Sequence, residues 1–166
     1  KERSGEACDH WNLWRDDFKL LSDIGVNSYR FSIEWSRLEP SPGEWNEEAM
    51  NTYSDMVDDL LERGIRPMPT LHHFSHPSWW EEKGGFTDEE NLVDFLSYSE
   101  RVFDALSDRV EVWCTINEPT VFSAMGYTLG QFPPGRRSIF LTLRVMKNMM
   151  RAHSMVYKRL KERAPE

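Results

Sequence analysis

Residues 26–35 read VNSYRFSIEW, a short run of β-branched and aromatic residues that is typical of a buried strand. Similar runs follow at 65–74, IRPMPTLHHF, and at 110–117, VEVWCTIN. Pro67 and Pro69 exclude a fully paired central ladder at their positions, so we expect the second strand to be short or to pair elsewhere. Because helical patterns separate the three runs, the chain is predicted to form βαβ units around a parallel sheet.

Helical periodicity fills the intervals around these runs. The first helix is predicted to stop at Gly25, and Asn46 is the expected N-cap of the next helix. Thr87 and Glu90 form a capping-box pattern that we expect to open the following helix. A last helix is predicted from about residue 139 to residue 163. The apolar stripe of the first helix consists of Trp11, Trp14, Phe18, Leu21 and Ile24.

The length of the chain leaves two interpretations of this pattern. A complete (β/α)8 barrel needs eight strands and about 250 residues, whereas this chain has 166 residues and three predicted strands. It is therefore either a small three-stranded α/β domain or an internal piece of a barrel. Composition and periodicity do not decide between these two interpretations.

The composition excludes several classes of function. The formal net charge is −8 and no basic block occurs, which argues against binding to nucleic acid or to an anionic membrane surface. No stretch reaches the roughly 18–20 apolar residues of a membrane span. Cys8 and Cys114 are the only cysteines and cannot form a disulfide framework, which fits a reducing compartment. We therefore expect a cytoplasmic protein that binds neither nucleic acid nor membrane.

Three segments close the predicted strands, and they carry a family resemblance. They are YRFSIEWSRLEPSPGEWN at 29–46, PTLHHFSHPSWW at 69–80 and WCTINEP at 113–119. With these segments, and GYTLGQFPPG at 126–135, the chain resembles family 1 of the glycoside hydrolases, the β-glucosidase family, from about residue 9 to residue 135. The resemblance implies an α/β fold that is part of a (β/α)8 TIM barrel, with about three βα units (family strands two to four) and flanking helices.

The tripeptide Asn117-Glu118-Pro119 suits the chemistry of this family. Glycoside hydrolysis needs a carboxylic acid that protonates the leaving oxygen, and hydrogen bonds to the sugar 2-hydroxyl that strengthen in the transition state. Pro119 cannot donate to a ladder, so the strand stops there and its end can turn both neighbours toward a site. The resemblance assigns Glu118 as the general acid/base and Asn117 as the partner of the 2-hydroxyl. The plainer interpretation is a solvated glutamate at a strand end.

Arg30 and His73 are the other two candidate site residues. A charge within the apolar run of the first strand needs a partner, and the family equivalent of Arg30 lies beside the nucleophilic carboxylate and helps to keep it ionised. A structural ion pair with Glu34 is the alternative. His73 matches the family histidine that hydrogen-bonds the sugar hydroxyls, and a packed histidine without a functional role is the alternative.

A metal site is the other chemistry that this region suggests. His72 and His76 have the i, i+4 spacing of zinc ligands on a helix. Pro77 and the neighbouring strand are incompatible with a helix at this position. We also see no acidic or cysteine partner nearby in sequence. We therefore expect no metal, and no cofactor, because two carboxylates suffice for glycoside hydrolysis. The family's usual Trp-Asp-Leu is Phe-Ser-His at 74–76, which leaves the sugar specificity open.

The second carboxylate of a retaining glycosidase has no candidate in this chain. The family's nucleophile lies in a Glu-Asn-Gly motif near the seventh strand, and no such motif occurs here. The resemblance therefore implies that residues 1–166 are a single segment of one (β/α)8 catalytic domain that lacks the first strand and the C-terminal half, with the remainder of the barrel supplied by the parent chain. The parent is expected to hydrolyse terminal β-linked sugars from small β-glycosides or oligosaccharides, by double displacement with retention. The segment alone is expected to be inactive.

Two other interpretations remain at this stage. A truncated or degenerate relative would bind carbohydrate or a protein partner without catalysis, although it need not keep the four candidate site residues. Another barrel glycosidase family would keep Asn-Glu-Pro but should lack the flanking segments at 72–77 and 126–135.

Overall fold

A three-stranded parallel sheet forms the centre of the computed structural model, which describes residue 5 and residues 7–164. Its strands, adjacent in chain order, are β1 (Ser28–Ser32), β2 (Arg66–His72) and β3 (Cys114–Ile116). Ser32 lies opposite Thr70, and His72 lies opposite Ile116. Because all three strands run in the same direction, their carboxyl ends meet at one edge of the sheet.

The second strand differs from its prediction in length. β2 is the central strand and has seven residues, more than either neighbour, so the expectation of a short strand was wrong. Pro67 and Pro69 lie opposite residues of β1, whereas the pairing with β3 begins only at Thr70. The prolines thus lie where β2 has one neighbour, and the expected absence of a fully paired ladder at these two positions is confirmed.

Helices precede, connect and follow the strands. In the described residues they are α1 (His10–Ile24), α2 (Trp35–Leu38), α3 (Glu47–Glu62), α4 (Ser78–Glu82), α5 (Leu92–Leu106), α6 (Pro119–Ser123) and α7 (Ile139–Arg163). Two 3-10 turns, Gly85–Thr87 and Glu89–Asn91, precede α5, and a π-helical turn, Ala124–Thr128, follows α6. None of the helices described combines the length and the apolar character that crossing a membrane requires.

Local signals in the sequence correctly predicted several helix ends. α1 ends at Gly25, whose φ of 84° is left-handed, a conformation that glycine adopts without a steric penalty. The Asn46 side chain accepts a hydrogen bond from the Ala49 N–H at 3.0 Å and so caps α3. Within the predicted stripe of α1, however, only Trp14 and the neighbouring Phe18 are buried, while Ile24 is 75% exposed.

The capping box predicted at Thr87 and Glu90 is wrong. The Glu90 N–H donates to the Asp88 carboxylate, and the Thr87 hydroxyl donates to the Gly84 carbonyl. An aspartate that bonds the N–H two residues ahead stabilises a tight turn in place of a helical one. α5 therefore begins only at Leu92, after two 3-10 turns.

An aromatic core joins the helices to the carboxyl ends of β1 and β2. Trp35 stacks on Tyr98 with ring centroids 4.8 Å apart, and both side chains are almost fully buried. The Tyr98 hydroxyl lies 3.0 Å from the Leu71 carbonyl oxygen and 3.3 Å from that of Ile33. It therefore ties α5 to two strand ends at once. Trp80 is also buried in this core, which makes it a packing residue.

Candidate active site

The predicted site residues lie on the sheet and at its carboxyl edge. Arg30 belongs to β1, His73 directly follows β2, and Asn117 and Glu118 follow β3. The Asn117 N–H donates to the His72 carbonyl at 2.8 Å, which extends the β2–β3 ladder one residue beyond β3. Asn117 is thereby held beside the end of β2.

A side-chain hydrogen bond connects the outer strands across β2. The Arg30 Nη1 donates to Asn117 Oδ1 at 3.1 Å, and Asn117 is only 6% exposed. A guanidinium group has donors and no acceptor. It therefore fixes the orientation of the Asn117 amide, with Oδ1 toward Arg30 and Nδ2 left to donate elsewhere.

The alternative partner suggested for Arg30 is not used. The Glu34 carboxylate accepts hydrogen bonds from the hydroxyls of Ser36, at 2.6 Å, and Ser75, at 2.7 Å. Glu34 thus joins the segment after β1 to the segment after β2. The alternative of an Arg30–Glu34 ion pair is wrong, because Arg30 bonds Asn117 instead.

The two adjacent histidines have opposite environments. His72 is 1% exposed and lies within the core, while His73 is exposed at the carboxyl edge. The His73 Nδ1 lies 2.8 Å from the Ser32 hydroxyl oxygen at the end of β1. His73 is therefore the histidine of this pair that a ligand can reach.

Glu118 has an unusual backbone conformation. Its φ of 42° and ψ of 60° are left-handed, and its side chain is exposed. Pro119 then opens α6, a position that suits the fixed φ of proline. Phe74, which follows β2 as Glu118 follows β3, is also left-handed, with a φ of 70°. Such strained non-glycine residues concentrate at functional sites, and no pattern in the sequence indicated either of them.

A histidine pair beside the site, with His72 buried and His76 partly buried, was also missed. The His72 Nε2 lies 3.3 Å from His76 Nδ1, and His76 Nε2 lies 2.9 Å from the Glu81 carboxylate. The expectation that no acidic partner lies nearby was wrong, because α4 brings back a carboxylate five residues after His76. Burial, and to a lesser degree the neighbouring histidines His76 and His73, hold the pKa of His72 well below its ordinary value, so His72 is neutral.

These histidines do not form part of a metal-binding cluster in the described residues. Nowhere in residues 7–164 do three or more His, Cys, Asp or Glu side chains come together in a way that would hold a metal ion. The facing nitrogens of His72 and His76 are directed at each other, and the second His76 nitrogen at Glu81.

A parallel sheet that gathers polar side chains at the carboxyl ends of its strands is typical of an α/β-barrel enzyme. The sequence model of glycosyl hydrolase family 1 matches residues 1–166, and the chain belongs to this family. The predicted resemblance is confirmed, and the alternative of another barrel glycosidase family is wrong.

Individual relatives agree with the family match. The cytosolic beta-glucosidase of Homo sapiens is 41% identical over 138 residues, which cover 81% of this chain and 29% of the relative. A beta-glycosidase from Pyrococcus horikoshii superposes with a TM-score of 0.90 at 46% identity, covering 93% of this chain and 36% of that one. A family 1 b-glucosidase from Thermotoga maritima, solved in complex with isofagomine lactam, gives 0.91 at 38% identity with the same coverage.

The share of each relative that this chain covers shows how much of the family's fold the chain contains. The chain spans about a third of the length of the relatives it matches. Its three parallel strands and their helices are a part of a (β/α)8 barrel, which confirms the predicted fold class.

Proposed function

We propose that this chain is a segment of a retaining β-glycosidase that hydrolyses terminal β-linked sugars by double displacement. The observation that carries the proposal is the Arg30–Asn117 hydrogen bond, because it orients the amide of the residue directly before Glu118 at the end of β3. Membership of glycosyl hydrolase family 1 supports the reaction type. The relative solved with isofagomine lactam supports a small β-glycoside or oligosaccharide as substrate.

Glu118 is the proposed general acid/base. Its carboxylic acid protonates the leaving oxygen as the bond from that oxygen to the anomeric carbon breaks, and its carboxylate later takes a proton from the attacking water. An acid that works near neutral pH needs an environment that favours its protonated form. Because Glu118 is exposed among the described residues, we expect residues outside this chain to provide that environment.

Asn117 and His73 are the proposed sugar-binding residues. With its Oδ1 bonded to Arg30, the Asn117 side chain has Nδ2 available as a donor to the sugar 2-hydroxyl, a bond that strengthens in the oxocarbenium-like transition state. The exposed ring of His73 supplies its Nε2 to another sugar hydroxyl.

The nucleophile is proposed to lie outside this chain. A retaining enzyme needs a second carboxylate about 5–5.5 Å from the acid/base, and Arg30 has further N–H donors to stabilise the ionised form of that carboxylate. We propose residues 1–166 as a single segment of one catalytic domain, without the first strand and the C-terminal half. β1 and β3 each have one neighbouring strand in the described residues, so both have an edge at which the remainder of the barrel would pair.

The proposed compartment is the cytoplasm. Cys8 and Cys114 are both free thiols, which suits a reducing environment. The relative from Homo sapiens is itself named a cytosolic beta-glucosidase.

A substitution of Glu118 in the full-length natural protein tests this function. The intact mass of that product comes first, and roughly 45–60 kDa is expected for a complete barrel with its loop insertions. We expect Glu118→Gln to slow hydrolysis of alkyl β-glucosides by about 10²–10⁴-fold, because the leaving oxygen loses its proton donor. For an aryl glycoside with an acidic leaving group, the rate of the first step should fall less. Added azide should restore turnover, because it attacks in place of the activated water.

The matched control is Glu111→Gln, an exposed glutamate before β3, which should leave hydrolysis unchanged. Proton NMR of the first-formed sugar should show the β-anomer. An α-anomer as first product, a full-activity Glu118→Gln variant, or a natural product of only 19.6 kDa would contradict the proposal.

A further inference from the structure

The ring of His73 has one described hydrogen-bond contact, and that contact comes from β1. The Ser32 hydroxyl oxygen lies 2.8 Å from His73 Nδ1. Ser32 is the last residue of β1 and is paired in register with Thr70 of β2, so its main chain is held by the sheet. His73 lies beyond β2 and precedes the left-handed Phe74, so its own main chain is not part of a regular element.

We propose that Ser32 is a positioning residue that orients the His73 ring toward the sugar, an inference that rests on the proposed function. The two nitrogens of an imidazole are distinct, and the hydrogen bond made by one decides how the other is presented. Because the Ser32 hydroxyl occupies Nδ1 and the ring is exposed, Nε2 is the nitrogen left to bond a ligand. Phe74 also packs on the ring, at 5.2 Å between centroids, but an edge contact of this kind does not distinguish the two nitrogens.

The same strand orients the other proposed sugar ligand. Residues two apart in a strand share a face, and Arg30 and Ser32 are both exposed on one face of β1. Arg30 directs the amide of Asn117, and Ser32 directs the ring of His73. β1 therefore supplies orienting groups to the ends of both other strands, and a ligand meets side chains whose rotamers are already set, which lowers the entropy lost on binding.

Substitutions in the full-length protein test the role of Ser32. We expect Ser32→Ala to lower kcat/KM for an aryl β-glucoside by about three- to tenfold, the size of one hydrogen bond. Ser32→Thr keeps a hydroxyl and should stay within about twofold of the wild type. The matched control is Ser28→Ala on the same exposed face of β1, for which the described residues provide no side-chain partner, and it should not change kcat/KM.

A double-mutant cycle identifies the route of the effect. If Ser32 acts through His73, then Ser32→Ala should have no further effect in a His73→Ala background. The same loss in both backgrounds would overturn the inference, because the hydroxyl would then act on something else. Thermal unfolding of each variant shows whether a loss of kcat/KM comes from misfolding. If Ser32→Ala does not fold, the test rests on Ser32→Thr, whose kcat/KM should stay within about twofold of the wild type.

Ring 15N NMR of His73 provides a readout that needs no turnover. His73→Ala identifies the signals, and Ser32→Ala should shift them because Nδ1 loses its hydrogen-bond partner. Unchanged His73 signals would overturn the inference even in an active enzyme. A full-length protein that hydrolyses no β-glycoside would overturn the proposed function instead, while the NMR comparison would still decide whether Ser32 orients the ring.

Discussion

Glu118 shows how one residue combines a proposed chemical role with backbone strain. Its left-handed φ of 42° is uncommon for a residue with a side chain, since the Cβ atom crowds the following carbonyl oxygen. The strand end before it and Pro119 after it hold this conformation. The side chain is exposed just beyond β3, so the strained turn lies where a ligand can reach the acid.

A pair of substitutions at Glu118 measures this strain. Both Glu118→Gly and Glu118→Ala remove the carboxylate, but only glycine adopts the left-handed region freely. We therefore expect the glycine variant to have a free energy of unfolding about 1 kcal/mol higher than the alanine variant. Denaturant unfolding of the full-length protein checks the difference. The same pair at Glu111, outside the left-handed region, should give the opposite order, and an equal result at both positions would contradict the assignment of strain.

At the scale of elements, β2 and α4 join the site to the core. β2 ends in His72, which faces the aromatic rings of Phe86 and Phe122, and the segment after it leads through His76 into α4 with Glu81. The neutral His72 is enclosed, and its Nδ1 has no hydrogen-bond partner among the described residues. Protonation of His72 would therefore place an unsolvated charge in the core.

This burial makes stability depend on pH. The unfolded chain takes up a proton on His72 below its ordinary pKa of 6.5, whereas the folded chain does so only at much lower pH. His72 therefore favours the folded state fully above about pH 6.5, and this contribution is lost as the pH falls, by up to about 1.4 kcal/mol per pH unit. Urea unfolding of the full-length protein from pH 7 to pH 5 should show a shallower decline in unfolding free energy for His72→Phe than for the wild type.

The control for this titration is His153→Gln, an exposed histidine on α7. Its unfolding free energy should follow the wild-type curve. If the curve for His72→Phe were parallel to that of the wild type, another group would be responsible for the acid sensitivity.

At the scale of the whole molecule, large apolar surfaces lack a covering in the described residues. Phe140 is 82% exposed and Ile24 is 75% exposed. A cavity of about 820 Å³ lies between α5, β3 and α7, with Val110 and Trp113 in its wall. Within residues 7–164 the sheet also has two open edges, which promote pairing between chains.

We therefore expect residues 1–166 expressed alone to aggregate or to fold only in part. Thermal unfolding followed by circular dichroism should lack a sharp transition, and the segment should bind a dye for exposed apolar surface. The full-length protein, treated identically, should unfold cooperatively without binding the dye. A monomeric segment with a sharp melt would contradict this expectation and would show that the three βα units are stable without the rest of a barrel.

Local patterns in the sequence were sufficient to predict the elements and the family. Gly25 and Asn46 act through their own main-chain neighbours, so their effects on helix ends are visible in a few adjacent residues. The predicted bounds of α7 agree with the structure for the same reason. The candidate site residues were selected because each belongs to a contiguous motif that resembles the family.

Only the tertiary structure decided which side chains meet. Arg30 bonds a residue 87 positions away, and Ser32 one that is 41 positions away. Such contacts depend on the register between strands, which results from the packing of the whole sheet and leaves no local pattern. The left-handed turn at Glu118 was missed for a similar reason, because tertiary packing holds a conformation that a short peptide would not keep. The carboxylate beside His76 lies only five positions away, and it was missed because no motif in the sequence marks a contact between this histidine and a residue of α4.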